Sequence, residues 1–142
     1  MDSKEFFYRL GKTLYKIDGF YTEFAKSGNV KPNLLWIMYA LNDGKAHSQK
    51  EICDSWDLPR STVNTIVKEL ESENIVELVQ IKGEKRELSI VLTKDGQKYA
   101  DSLLKDLYDL EAAAYDKMQS DAEILLNKFE KLAGVLNKEE KE

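Results

Sequence analysis

The chain has 142 residues, enough for one domain with a real core; 42% are apolar, within the globular range, and 33% are charged, which suits long amphipathic helices with solvated faces. No run approaches the roughly 18 apolar residues of a membrane span, so no membrane partner is expected. A single cysteine, Cys53, excludes an internal disulfide, and the start Met1-Asp2-Ser3-Lys4-Glu5 lacks the basic and apolar stretches of a signal peptide; both point to a cytoplasmic protein.

The first predicted helix runs from about Ser3 to Lys26. Phe7, Leu10, Leu14, Ile17, Tyr21 and Phe24 recur at spacings of three and four and form one apolar seam, which Phe6, Phe20 and Ala25 widen. Such a helix needs a partner surface, in its own chain or in a second copy. Ser27-Gly28-Asn29 breaks it. Pro32 fits the first turn of a second helix, whose Leu34, Leu35, Ile37, Met38 and Leu41 make it mostly buried; Asn42-Asp43-Gly44 closes it.

Ser48-Gln49-Lys50-Glu51 has the form of a capping box and opens a third helix carrying Ile52, Cys53 and Trp56 inward. The chain turns sharply at Asp57, and Leu58 plugs the turn. A fourth helix follows from about Pro59 to Glu73. Val63, Ile66, Val67 and Leu70 form its core face, while Arg60, Ser61, Asn64, Thr65 and Lys68 fall on the other side. Ile75 to Ile81 is short and β-branched and reads as a strand; Lys82-Gly83-Glu84-Lys85-Arg86 is a turn; Leu88, Ile90 and Leu92 alternate with Ser89 and Val91 in a returning strand. Thr93 caps a long helix to about Met118, with a seam of Leu103, Leu107, Leu110 and Ala114. A second capping box, Ser120 to Glu123, opens a last helix with Leu125, Phe129, Leu132 and Leu136 inward.

Two short helices, a tight turn, a two-stranded hairpin and long flanking helices define the expected fold class: mainly α with a small β-hairpin wing, a winged helix-turn-helix. That shape sets one helix in a DNA groove while the hairpin grips the backbone beside it. The net charge of −5 is unusual for such a role, but it is unevenly spread. Residues 1–44 carry a net +1, residues 45–94 a net −1 and residues 95–142 a net −5. Within the middle segment Arg60 to Lys68 holds two cations and no acid, and Lys82 to Arg86 three cations and one acid. A local basic face of this kind suits phosphate with modest non-specific affinity.

Leu58-Pro59-Arg60-Ser61-Thr62-Val63 resembles the turn and opening of a recognition helix in the MarR family of bacterial transcription regulators. Glu84-Lys85-Arg86, followed by Leu92-Thr93 and Gly96, resembles that family's wing signature. The resemblance extends over nearly the whole chain. It departs at Glu84, where the family usually has Asp, and at Pro59, where a polar cap is common. It implies a single domain over 1–142 that binds double-stranded DNA as an obligate homodimer. Residues 1–30 would form an N-terminal dimerisation helix, 32–94 the DNA-binding lobe and 94–142 the C-terminal dimerisation helices. It implies pseudo-palindromic promoter sites with half-sites about one helical turn apart, and a repressor released by ligand.

Ser61, Thr62, Asn64, Thr65 and Lys68 are the candidate recognition residues, since hydroxyls and amides bond base edges and Asn reads adenine in bidentate fashion. Arg60 belongs on the backbone or at a groove edge. Gln49 and Lys50, at a helix N-terminus, suit a phosphate. The resemblance places Arg86 in the minor groove, with Lys82 and Lys85 on phosphates. Tyr8, Tyr15, Trp36, Tyr39, Tyr108 and Tyr115 either line a pocket for a small aromatic or anionic effector or are plain core. Cys53, beside Ile52 and Asp54, reads as a structural thiol rather than an oxidant sensor. His47, without Cys or carboxylate partners at metal-ligand spacing, reads as a loop residue rather than a metal ligand or a pH switch. No nucleophile elbow, phosphate-cradling loop or His–carboxylate pair suggests an enzyme, and no cofactor or metal is expected. The competing class is a winged-helix protein–protein adaptor without DNA binding, suggested by the overall acidity.

Overall fold

A computed structural model of the chain describes residues 1–80 and 87–138. They fall into two compact units, Met1–Leu104 and Lys105–Glu142. The candidate residues Lys82, Lys85 and Arg86, with Glu84 beside them, lie outside the described residues.

The first unit opens with α1, Ser3–Ser27, capped by Asp2, whose Oδ1 accepts from the Glu5 N–H at 2.8 Å. Asn29 takes a left-handed backbone (φ 57°) that ends the helix. Of all α1 side chains only Ala25 is buried; Phe7, Leu14 and Ile17 remain 44–49% exposed. The expected seam is therefore present and open to solvent in the single chain. Helix α2, Pro32–Leu41, starts on Pro32 as expected and buries Leu35, Ile37, Met38, Ala40 and Leu41. Gly44 leaves it with φ 78°.

Helix α3, Gln49–Trp56, is capped by Ser48 Oγ, which accepts from the Glu51 N–H at 3.0 Å. Asp57 turns the chain in a left-handed conformation (φ 52°). Helix α4, Arg60–Ser72, buries Val63, Ile66, Val67 and Leu70, so the expected core face is the observed one. These side chains pack with Ile37, Met38 and Leu41 of α2, with Ile52 and Cys53 of α3, and with Val76, Ile90 and Ala100.

The wing departs from the expected two-stranded hairpin. Three strands, β1 (His47–Ser48), β2 (Val76–Gln80) and β3 (Leu88–Leu92), form an antiparallel sheet in the order β1-β3-β2. His47 pairs with Ile90, and Ser48 with Ser89, so the stretch entering α3 is extended and hydrogen-bonded to the wing. With neighbours on both sides, β3 does not alternate as its sequence suggests: Ser89 is buried beside Ile90, and Leu88 is exposed. Trp56 also departs from expectation. It sits 37% exposed at the end of α3, its ring 5.4 Å from Trp36 and 5.8 Å from Tyr39, outside the core rather than in it.

Thr93 joins the wing to α5, Lys94–Met118. Its hydroxyl donates to the Asn74 carbonyl at 2.6 Å and accepts from the Gly96 N–H at 2.9 Å, while its own N–H donates to the Ile75 carbonyl. One side chain thus caps the helix and ties it to the turn after α4. The second unit contains the end of α5 and α6, Asp121–Leu136. The expected capping box at Ser120 does not form. Gln119 takes the left-handed turn (φ 50°), Ser120 is already helical, and its side chain makes no cap bond. No α6 residue is buried; Ile124, Leu125, Leu126, Val135 and Leu136 are all at least 42% exposed.

Candidate nucleic-acid interface

The two faces of α4 are chemically opposite. The apolar face is consumed by the core. Arg60, Ser61, Thr65 and Lys68 are exposed, and Thr62 and Asn64 half-exposed. Pro59 stands at the N-cap and provides no side-chain bond, so the first N–H groups of α4 are left to other acceptors. Helix α2 likewise begins without a side-chain cap, at Lys31. The other helix starts of this unit, at Asp2, Ser48 and Thr93, are capped by side chains. Neither of the two uncapped helix starts carries an acidic residue in its first turn to offset the positive end of its dipole.

Two clefts gather the expected residues. The first, about 480 Å³, is lined by Gln49, Lys50 and Cys53 of α3, Arg60, Ser61 and Asn64 of α4, and Glu87 just before β3. The second, about 690 Å³, runs between the start of α2 (Lys31 to Leu34) and Ser61, Thr62, Thr65, Ile66 and Glu69 of α4. The opening turns of α4 separate the two. Gln49, Arg60, Ser61 and Asn64 are therefore brought together, with Thr62 and Thr65 on the far flank. Lys68 is exposed further along and lines neither cleft. The Thr65 hydroxyl donates to the Ser61 carbonyl at 2.9 Å, which leaves its lone pairs, rather than its proton, for an incoming group. Lys50 lies 3.5 Å from Asp54 within its own helix, an exposed pair.

Sequence reasoning missed several polar residues of these clefts, Glu69 among them. Glu87 brings an acid to a cleft that otherwise carries Lys50 and Arg60. Lys31 and Asn33 face the other flank of α4, and the missing polar cap before Pro32 was the available signal. Cys53 is buried, as a structural thiol should be, yet it borders the first cleft. The expectation for His47 is corrected. It is a strand residue whose ring nitrogens lie between Glu51 Oε1, at 2.8 Å, and the Asp43 carboxylate, at 2.8 and 2.9 Å. The carboxylates sit four residues before and after it, a spacing that pairs side chains here because a turn precedes the strand and a helix follows. Of the aromatic candidates, Trp36 and Tyr39 pack with Tyr21 and Trp56 in one cluster, and Tyr39 borders a cleft of about 210 Å³. Tyr8, Tyr15 and Tyr115 are 65–80% exposed.

A buried core under a polar helix, flanked by a tethered three-stranded wing, defines a winged helix-turn-helix protein. Residues 29–87, the winged-helix segment, match the MarR family model. Solved structures share the fold. A MarR family regulator from Neisseria meningitidis is 22% identical, with a TM-score of 0.82, covering 97% of this chain and 96% of that one. A putative MarR family regulator from Listeria monocytogenes, complexed with 26mer DNA, is 16% identical with a TM-score of 0.72, covering 94% and 89%. Staphylococcus aureus MarR in complex with salicylate and kanamycin is 18% identical with a TM-score of 0.71, covering 97% and 94%. No curated protein matches the sequence. No helix among the described residues is long and apolar enough to cross a membrane.

Proposed function

We propose that this chain is a transcriptional regulator that binds pseudo-palindromic promoter DNA as a homodimer and represses until a small aromatic or anionic effector releases it. The observation that carries DNA binding is α4. Its apolar face is wholly buried, and its opposite face presents Ser61, Thr62, Asn64, Thr65 and Lys68, with Arg60 and Gln49 converging at its open N-terminal end. Asn64 and the hydroxyls supply base-edge partners, and the uncapped helix starts favour phosphate. Lys82, Lys85 and Arg86 are assigned to the backbone and minor groove. The dimer rests on the open apolar faces of α1 and α6. Effector release draws on the fold relatives solved with salicylate and with 4-hydroxyphenylacetate. A ligand that prefers a wider separation of the reading heads lowers DNA affinity by shifting the population.

Fluorescence anisotropy with a duplex from the chain's own promoter region tests this. Affinity should fall steeply with salt, and Lys68→Ala should lower the salt slope by about one. Asn64→Ala should cost about 1–3 kcal/mol on the preferred duplex and little on a random one. Arg86→Ala should weaken binding as well. A protein partner indifferent to charge reversal at Lys68 and Arg86, with no duplex bound at low salt, would establish the adaptor instead.

A further inference from the structure

The turn after α2, strand β1 and the first turn of α3 meet on His47, the only histidine of the chain. Nδ1 lies 2.8 Å from Glu51 Oε1, and Nε2 lies 2.8 and 2.9 Å from the two Asp43 oxygens. The side chain is only 14% exposed, while the carboxylates are 42% and 53% exposed. Ionised carboxylates only accept hydrogen bonds, and a neutral imidazole carries a single N–H. A neutral ring would thus point one lone pair at a carboxylate, and only the imidazolium donates at both ends.

We propose that His47 is a proton-operated clamp: charged, it ties the start of α3 to the turn after α2 and to the base of the wing, and its discharge loosens the reading head and weakens its hold on DNA. The clause about DNA rests on the function proposed above. The connection runs through neighbouring residues. Ser48 pairs with Ser89 of the wing and caps α3 by accepting from the Glu51 N–H. Gln49 and Lys50, which follow, line the first cleft.

The groups around the ring set the direction of the switch. Asp43 comes from the turn and Glu51 from α3, while β3 offers the uncharged pair Ser89 and Ile90. Tyr39 of α2 and Ser55 and Trp56 of α3 share the neighbouring cleft of about 210 Å³. Lys45 bonds Asp43 through its N–H and attracts it by charge. Partial burial opposes charge on the ring, but the bonds and charges of Asp43 and Glu51 outweigh it, and the His47 pKa stands above the ordinary 6.5. Burial likewise works to raise the Asp43 pKa, and the bond to His47, the Lys45 N–H and the two nearby cations overcome it and hold it below 3.8. A raised histidine contributes its full stabilisation below its unfolded value of 6.5 and loses it as pH climbs through the higher folded value. A lowered aspartate contributes above 3.8 and loses its share only as pH falls through the folded value beneath that. The clamp is closed between those two limits and opens on the alkaline side.

A lone histidine makes the proton titration of the imidazole in the full chain unambiguous by NMR. Its midpoint should exceed 6.5 in the wild type and fall toward that value in Asp43→Asn and Glu51→Gln. Amide exchange of residues 48–52, corrected for intrinsic rates, should accelerate several-fold above the midpoint in the wild type and show no such step in His47→Gln. Wild-type affinity for the promoter duplex should weaken several-fold as pH rises through the imidazole midpoint measured in that titration, and His47→Gln should remove that dependence. A wild-type midpoint at or below 6.5, or the same pH dependence of exchange in His47→Gln as in the wild type, overturns the clamp. Identical pH dependence of affinity in both proteins overturns its effect on DNA. Absence of any duplex binding overturns the DNA reading alone, and the titration and exchange then decide the clamp by themselves.

Discussion

Gly96→Ala should destabilise the chain by about 3 kcal/mol, although Ala ordinarily favours a helix over Gly by close to 1 kcal/mol. The first turn of α5 rests directly on the turn that leaves α4. A Cβ at position 96 would overlap the Ile75 carbonyl oxygen and lie 2.8 Å from its carbon. That carbonyl cannot move aside freely, because it accepts from the Thr93 N–H at 3.0 Å. Thr93 Oγ1, 3.2 Å from the same Cβ, is held by the Asn74 carbonyl and the Gly96 N–H. The methyl group must either part α5 from the wing or break the cap. Thermal unfolding should show the midpoint lowered by about 10 °C. Gly19→Ala is the matched control: nothing lies within 4 Å of a Cβ there, so it should be neutral or stabilising. Equal midpoints for Gly96→Ala and the wild type would remove this account of the close contact.

The second large effect concerns the proposed dimer. Leu14→Glu with Ile17→Glu should convert the protein to single chains. Both side chains are about half exposed in the isolated chain, 47% and 49%, so the fold of each chain should survive the change. In a dimer sealed through α1, each apolar side chain contributes roughly 1.5–3 kcal/mol, and each new carboxylate must be desolvated. The dimer constant should weaken more than about a thousandfold, readable by sedimentation with far-UV circular dichroism as the fold control. DNA affinity should fall with it, because the second half-site no longer binds intramolecularly. An unchanged dimer constant places the contact elsewhere.

Much of the lobe was legible because its signals are local and periodic. Val63, Ile66, Val67 and Leu70 recur at helical spacing, and the same four are buried. Ser48 and Glu51 announced a cap that forms, and Thr93 with Gly96 marked a junction whose geometry explains both residue types. What sequence reasoning missed depends on partners distant in the chain or on fine backbone angles. The two residues of β1 carry no strand pattern of their own and become a strand only because β3 lies alongside. Ser120 has the composition of a cap but a helical backbone, since Gln119 takes the turn. Trp56 follows the inward periodicity of α3 yet falls where that helix ends, against Trp36. Of the candidate contacts, Gln49, Arg60, Ser61 and Asn64 share one cleft because α3 and α4 cross there, a proximity no linear pattern encodes.

Cys53 remains the sole thiol, enclosed by α3 and α4 at 7% exposure. The molecule therefore carries a built-in reporter of its own breathing. Under conditions where reclosing outpaces modification, the rate at which a thiol reagent reaches that sulfur reports the free energy of local opening around it. Binding of the proposed promoter duplex or effector would register as a change in that rate, with no label to attach.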